Sequence, residues 1–288
     1  MKVKLSLLAI GLMLSNTASA GLRTYAAGLE DSQWTLASDT RLECRLEHKV
    51  PNYGQVKFSS RASKLNNLGF EMDMRLTSDQ HTPVELQSVA PNWKPGLPSQ
   101  RIGETTLYRQ FDGYVDQNGA WVMLHELEKG MQPTLYYSDW HQRRDKVAVG
   151  LSSVNFRQQY YKFLSCVDQL LPFGFEDIAY TVLNYKSNSD QLNKESQRKL
   201  DMIGEYLKLA PAVELVLVDA YTDSYGGRWH NEQLSIKRAK SVKTYLAKQG
   251  LDESRIKTEG HGEKRHIATN DTVIGRDKNR RVVIRMSR

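Results

Sequence analysis

Apolar and polar positions alternate through much of the first half of the chain. Phe70, Met72, Met74 and Leu76 alternate with Glu71, Asp73 and Arg75, which predicts a strand with one wet face. Leu42, Cys44 and Leu46 alternate with Arg and Glu in the same way. Asn118-Gly119, between YVDQ and AWVML, predicts a hairpin turn. Further extended stretches are expected at 55–59, 84–89 and 105–111, with a Pro-rich loop, PNWKPGLPS, at 91–99. The period then lengthens. Phe156, Tyr160, Phe163, Leu164 and Val167 recur at helical spacing around Cys166, so a helix closes this strand-rich segment, an antiparallel sheet or barrel.

After Pro172 the element types alternate. A short strand is expected at 179–185, followed by a helix capped by Asp190 with Leu192, Leu200, Ile203, Leu207 and Ala210 on one face, ended by Pro211. Val213 to Val218 is almost continuously apolar, as a strand covered on both faces requires. A turn-rich loop, YTDSYGGRWHN, leads to a second helix with Ile236, Ala239, Val242 and Leu246 as its stripe, stopped by Gly250. A strand at 255–259, a loop carrying Gly260, Gly262 and Gly275, and a last strand at 281–286 complete the chain. The fold class is therefore α+β: a β-rich part with a closing helix, then an α/β sandwich.

The longest apolar run is N-terminal. Lys2 and Lys4 precede the apolar stretch from Leu5 to Leu14, and Ala18-Ser19-Ala20 supplies the small residues of a cleavage site. About ten apolar residues are too few to span a bilayer, so residues 1–20 are expected to be an export signal and the mature chain to begin at Gly21, with no transmembrane segment. No Cys stands just after that site, so the usual lipid attachment position is not expected. In an oxidising compartment Cys44 and Cys166, the chain's two cysteines, are expected to pair; the alternative is two inert buried thiols.

Charge separates the remaining 268 residues into two parts. Residues 21–172 hold 17 basic and 17 acidic side chains, and residues 173–288 hold 21 and 16, so the basic excess belongs to the second part. That excess is modest, and export removes nucleic acid as a partner. Nucleophile, zinc-protease and nucleotide-loop motifs are absent, and the seven histidines show no ligand spacing. An enzyme, a metal and a cofactor are therefore not expected. Asp219 and Asp223 lie four apart across a strand-to-loop junction, which makes an acid/base pair the weaker reading. Thr222-Asp223 leaves a buried strand, and Arg238 lies in what reads as the first turns of the next helix. Brought together, an aspartate and an arginine can grip a zwitterion, the carboxylate taking an ammonium and the guanidinium taking a carboxylate. They can equally pair with each other.

Tyr221-Thr222-Asp223-Ser224-Tyr225-Gly226, then Asn231, Leu234-Ser235 and Arg238-Ala239, resemble the OmpA/Pal/MotB peptidoglycan-binding family. Gly260-His261-Gly262-Glu263, Asn270, Gly275-Arg276 and Asn279-Arg280-Arg281-Val282 continue the match, over roughly 175–286. Tyr221 and Lys264-Arg265-His266 depart from it. The resemblance implies that Asp223 and Arg238 bind diaminopimelate, with Asn231 and Thr222 in accessory positions. Taken with the export signal and the strand-rich segment bearing one Cys near each end, the whole chain resembles the MotY family of periplasmic flagellar-motor proteins. That resemblance implies a motor-docking part at 21–172, acting with MotX on the basal body as part of a ring that holds the stator, and a wall-binding part at 173–288. Two other readings stay open: a general envelope tether with a different N-terminal partner, and a wall hydrolase whose second part does the targeting.

Overall fold

The computed structural model describes residues 21–288 except 142, 143, 187, 188 and 190; the export signal expected at 1–20 and the cap expected at Asp190 lie outside the described residues. The first segment builds two five-stranded sheets. One runs β2 (Trp34–Asp39), β3 (Glu43–Val50), β4 (Gly54–Arg61), β5 (Gly69–Met74) and β8 (Gly113–Val115) in spatial order. The other runs β1 (Leu22–Ala26), β10 (Lys146–Gly150), β9 (Gln132–Ser138), β6 (Thr82–Val89) and β7 (Gln100–Leu107). All neighbours are antiparallel except β1 and β10, which pair in parallel. One continuous core joins both sheets to the helices α1 (Gln117–Glu128) and α2 (Phe156–Val167) through Trp34, Leu46, Phe58, Phe70, Leu86, Met123, Leu135 and Phe163. Cys44 on β3 and Cys166 on α2 are bonded, with Cα atoms 5.9 Å apart across a separation of 122 residues. The bridge fixes the closing helix to the sheet.

Three local expectations change. Asn118-Gly119 makes no hairpin; it lies in the first turn of α1, because the Asp116 carboxylate accepts the Gly119 N–H at 3.0 Å and caps a helix there. Ala120, Met123, Leu124 and Leu127 then supply a buried helical stripe that outweighs the turn signal. The strand expected at 105–111 stops at Leu107, and Leu76 lies beyond β5 and is exposed.

The second segment is a four-stranded sheet in the order β11 (Tyr180–Asn184), β14 (Arg281–Ser287), β12 (Leu215–Ala220) and β13 (Ile256–Gly260). The short α3 (Phe175–Ile178) precedes β11, and α4 (Lys194–Leu209) and α5 (Arg228–Lys248) pack with the sheet through Leu200, Ile203, Leu207, Ala239, Val242 and Leu246. Helix α4 starts later than expected: Asn193 caps it by accepting the Ser196 N–H at 2.8 Å, and Leu192 sits before it in a bridge with Tyr185. The segment expected to be loop from Gly260 onward contains α6 (Val273–Asn279), capped by Thr272, with Gly275 inside it. Among the described residues no helix is long and apolar enough to cross a membrane.

The second core also takes in Ala62 and, at its margin, Leu42 from the β3–β4 end of the first segment. The Leu171 N–H donates to the Arg41 carbonyl at 2.9 Å, while Arg41 pairs with Glu205 at 2.8 Å and Lys64 with Asp177 at 3.0 Å. The chain passes from one core to the other immediately beside the disulfide.

Candidate functional site

The central strand β12 lies between β14, antiparallel, and β13, parallel. Its ladder continues past the last strand residue. The Tyr221 N–H donates to the Arg281 carbonyl, and the Thr222 N–H to the Gly262 carbonyl, each at 2.8 Å. Thr222 and Asp223 therefore leave the sheet on a backbone fixed from both sides. Gly260 is needed here: a Cβ would stand 2.6 Å from the Ile236 backbone nitrogen and 2.7 Å from Ser235 Oγ, so only glycine lets α5 approach this closely. The buried Ser235 hydroxyl then accepts the Gly262 N–H at 2.9 Å and ties the helix to the loop after β13.

At this end of the sheet a cleft of about 470 Å³ is lined by residues that include Thr222, Asp223, Tyr225, Asn231, Arg238, Arg276 and Arg280. Asp223 is buried; its Oδ1 accepts the Tyr225 N–H at 3.0 Å, and its Oδ2 takes Arg280 Nη1 at 2.6 Å. The ion partner of Asp223 is thus Arg280, not Arg238. Arg238 lies eleven residues into α5 rather than in its first turns, since the helix starts at Arg228. It is 1% exposed, stacks 4.4 Å above the Tyr185 ring, and donates to the Tyr221 and Ser189 carbonyls at 3.4 and 2.7 Å. Stacking and two carbonyls fix the guanidinium plane, which suits bidentate recognition of a carboxylate. Asn231 is buried, with Nδ2 donating to Glu263 at 3.2 Å. Thr222 Oγ1 is buried with no hydrogen-bond partner among the described residues. All four residues picked from the sequence line one cleft.

Arg280 and Tyr185 do not stand out as site residues in the sequence. The Asn279-Arg280-Arg281 run was visible, yet nothing in the spacing said that Arg280 reaches Asp223, 57 residues away. Tyr185 read only as a strand residue. Asn279, fully buried, binds the Ile267 and Ala268 N–H groups through Oδ1 and donates to Asn270, which in turn accepts the Ser224 N–H. It holds the loop that borders the cleft.

Asp219 does not join Asp223. It meets the buried His261 at 3.2 Å, with Glu259 on the other ring nitrogen at 3.5 Å. The three side chains come close enough to share an ion, a grouping that histidine spacing did not reveal. Arg285 pairs with the other Asp219 oxygen and already neutralises that carboxylate. Desolvation lowers the pKa of Arg281, whose guanidinium lies 4.0 Å above the Tyr221 ring.

The family model for the MotY N-terminal domain matches residues 25–172, and that for the OmpA family matches residues 184–280. The sodium-type flagellar protein MotY of Vibrio parahaemolyticus is 44% identical over 279 residues, covering 97% of this chain and 95% of that protein. Outer membrane protein A of Bordetella avium is 42% identical over 93 residues, 32% of this chain and 47% of that protein, so the chain spans about half of that relative's length. The crystal structure of the C-terminal domain of Helicobacter pylori MotB is similar at 25% identity and a TM-score of 0.34, covering 38% of this chain and 84% of that one. The relatives are motor and envelope proteins, not enzymes. With a matching relative along nearly its whole length and a family model over its first half, the chain belongs to the family of the sodium-type flagellar protein MotY.

Proposed function

We propose that this protein is a non-enzymatic periplasmic component of the sodium-driven polar flagellar motor. Residues 21–172 dock on the basal body with MotX, and residues 173–288 hold the stator region to peptidoglycan. Two hydrophobic clusters, one mainly in each segment, support that division. The similarity to the Vibrio motor protein runs through both segments, which favours a motor role over a general envelope tether.

The observation that carries the reading is the convergence of Asp223 and Arg238, from a strand end and a mid-helix position, on one cleft. The carboxylate receives the ammonium of diaminopimelate, and the guanidinium grips its carboxylate. Thr222, whose hydroxyl has no partner among the described residues, and Asn231, with Oδ1 still able to accept, add neutral hydrogen bonds. Arg280 keeps the Asp223 carboxylate oriented, a role that the ammonium then shares.

Quantitative co-sedimentation with purified sacculi tests this. Asp223→Ala and Arg238→Ala should each weaken binding by roughly 2 to 5 kcal/mol, because removing one charge leaves its ligand partner desolvated. Arg238→Lys should recover only part of the loss, since an ammonium lacks the planar fork and stacks poorly on Tyr185. Wild-type binding by folded Asp223→Ala and Arg238→Ala would refute the clamp.

A further inference from the structure

We infer that the cleft contains a second carboxylate subsite, formed by Arg280 and Thr222, and that it selects wall peptides in which diaminopimelate is the last residue, with its main-chain carboxylate free. The inference rests on the diaminopimelate reading above and names which form of that ligand the site prefers. The last register pair of β12 and β14 is Ala220 with Val282, and the Tyr221 N–H to Arg281 carbonyl bond carries the ladder further. Two residues beyond Ala220↔Val282, the same register sets Thr222 opposite Arg280. Cross-strand partners of this kind are near neighbours. Both residues are more than nine-tenths buried, and both line the cleft.

Both also carry an unused polar atom. Thr222 Oγ1 and Arg280 Nε have no hydrogen-bond partner among the described residues. Buried polar groups are almost always satisfied, so two such atoms on neighbouring residues in a cleft wall call for a ligand. Arg280 Nε can only donate, and a threonine hydroxyl can donate. Arg280 already pairs with Asp223 through Nη1 and with Asp277 through Nη2, so its Nε and the Thr222 hydroxyl, on two residues that line the cleft, are the donors left for the two oxygens of a carboxylate. Asp223 takes the ammonium and Arg238 the first carboxylate, so the complete ligand carries one ammonium and two carboxylates.

A peptide whose last residue is diaminopimelate has this set: an ammonium and a carboxylate on the side chain, and a carboxylate at the chain end. Adding one residue converts the chain-end carboxylate to an amide. Acylating the side-chain amine, as a cross-link does, removes the ammonium. The cleft therefore distinguishes trimmed, uncross-linked peptides from the rest of the wall.

Isothermal titration of the mature chain with three synthetic peptides tests this. One ends in diaminopimelate, one is extended by a D-alanine, and one has its side-chain amine acetylated. Extension should weaken binding about tenfold, the loss of one charge-assisted contact. Arg280→Lys retains a cation beside Asp223 but lacks Nε, and Thr222→Val retains shape but lacks the hydroxyl. Each should narrow the gap between the first two peptides to about twofold or less, chiefly by losing affinity for the shorter one. The acetylated peptide should bind poorly to wild type and to both variants. If wild type binds the extended peptide as tightly as the shorter one, or either folded variant keeps the full gap, the second subsite is wrong. The diaminopimelate reading then survives as long as acetylation still weakens binding. If the shorter peptide does not bind wild type at all, both readings fall.

Discussion

The two segments place charge inside the protein very differently. Among the described residues, the buried charged side chains of the first segment are Glu126 and Asp139, and each is paired within that segment: Lys129 with Ser88 for the first, Arg23 for the second. The second segment is shorter, yet it buries Asp219, Asp223, Arg238, Arg280 and Arg281, all around the end of β12. Replacing buried ion pairs with apolar residues is often neutral or stabilising, so such a concentration is poor evidence for a stability role. The first segment instead resembles a scaffold, with an aromatic core of Trp34, Phe58, Phe70 and Phe156 and a covalent staple. The covalent staple and the aromatic packing lie in the first segment, and most of the buried charge lies in the second.

The strongest way to break that contrast is to remove the staple. Cys44→Ser or Cys166→Ser opens a loop of 122 residues, and in the chain-entropy model each substitution should cost about 4 to 5 kcal/mol. Denaturant titration of wild type with and without reductant checks it. A midpoint unmoved by reductant would show that packing alone supports the first segment.

The contact between the two parts is the next test. A Cβ at Gly174 would lie 2.3 Å from the Ala62 carbonyl oxygen, a backbone atom that cannot step aside. Gly174→Ala should therefore destabilise by about 1 to 3 kcal/mol, as overpacking does, in thermal or denaturant melts. An unchanged melt would mean that the segments do not press on each other there.

The smallest effect expected is one of pH. His48 is buried against the Trp34 ring, with ring centroids 4.4 Å apart, and burial lowers its pKa while the bond to the Gln33 carbonyl partly opposes the shift. A carbonyl only accepts, so Nδ1 holds the proton and Nε2 is bare. The unfolded chain therefore binds a proton that the folded chain refuses. The stability due to neutral His48 is complete above about pH 6.5. It falls as the pH drops below that value towards the lowered folded pKa, by at most about 1.4 kcal/mol per pH unit. His48→Gln should flatten the slope between pH 7 and pH 5, and a slope identical in that variant would assign it to other groups.

Periodicity exposed most of the fold. Cys44 and Leu46 on β3, the α2 stripe, and the Ile236–Leu246 face of α5 all fall where hydrophobic spacing put them, although Ile236 is only half buried. Local turn chemistry was less dependable. Asn118-Gly119 has the residues of a tight turn, but the Asp116 cap and the apolar stripe after it decide for a helix. The parallel pairing of β1 with β10 joins residues more than a hundred positions apart, beyond any local pattern. At the site, Asp223 and Arg238 stand out because one follows a buried strand and the other sits on the next helix. Spacing left a ligand clamp and an internal pair equally open, and the family resemblance pointed to the clamp. Arg280 does not stand out, because its partnership with Asp223 depends on the β12–β14 register, which only the folded sheet sets. The same holds for Tyr185 under Arg238.

The division of labour between the two segments is tested most directly in the full chain. Cells carrying the double substitution Asp223→Ala/Arg238→Ala in a fluorescently tagged protein allow two readouts on one molecule: focus formation at the flagellar pole and recovery with isolated sacculi. The account predicts that polar foci persist at wild-type frequency while recovery with sacculi falls to background. Loss of the foci together with wall binding, in a protein of normal abundance, would contradict it, as would sacculus recovery equal to wild type.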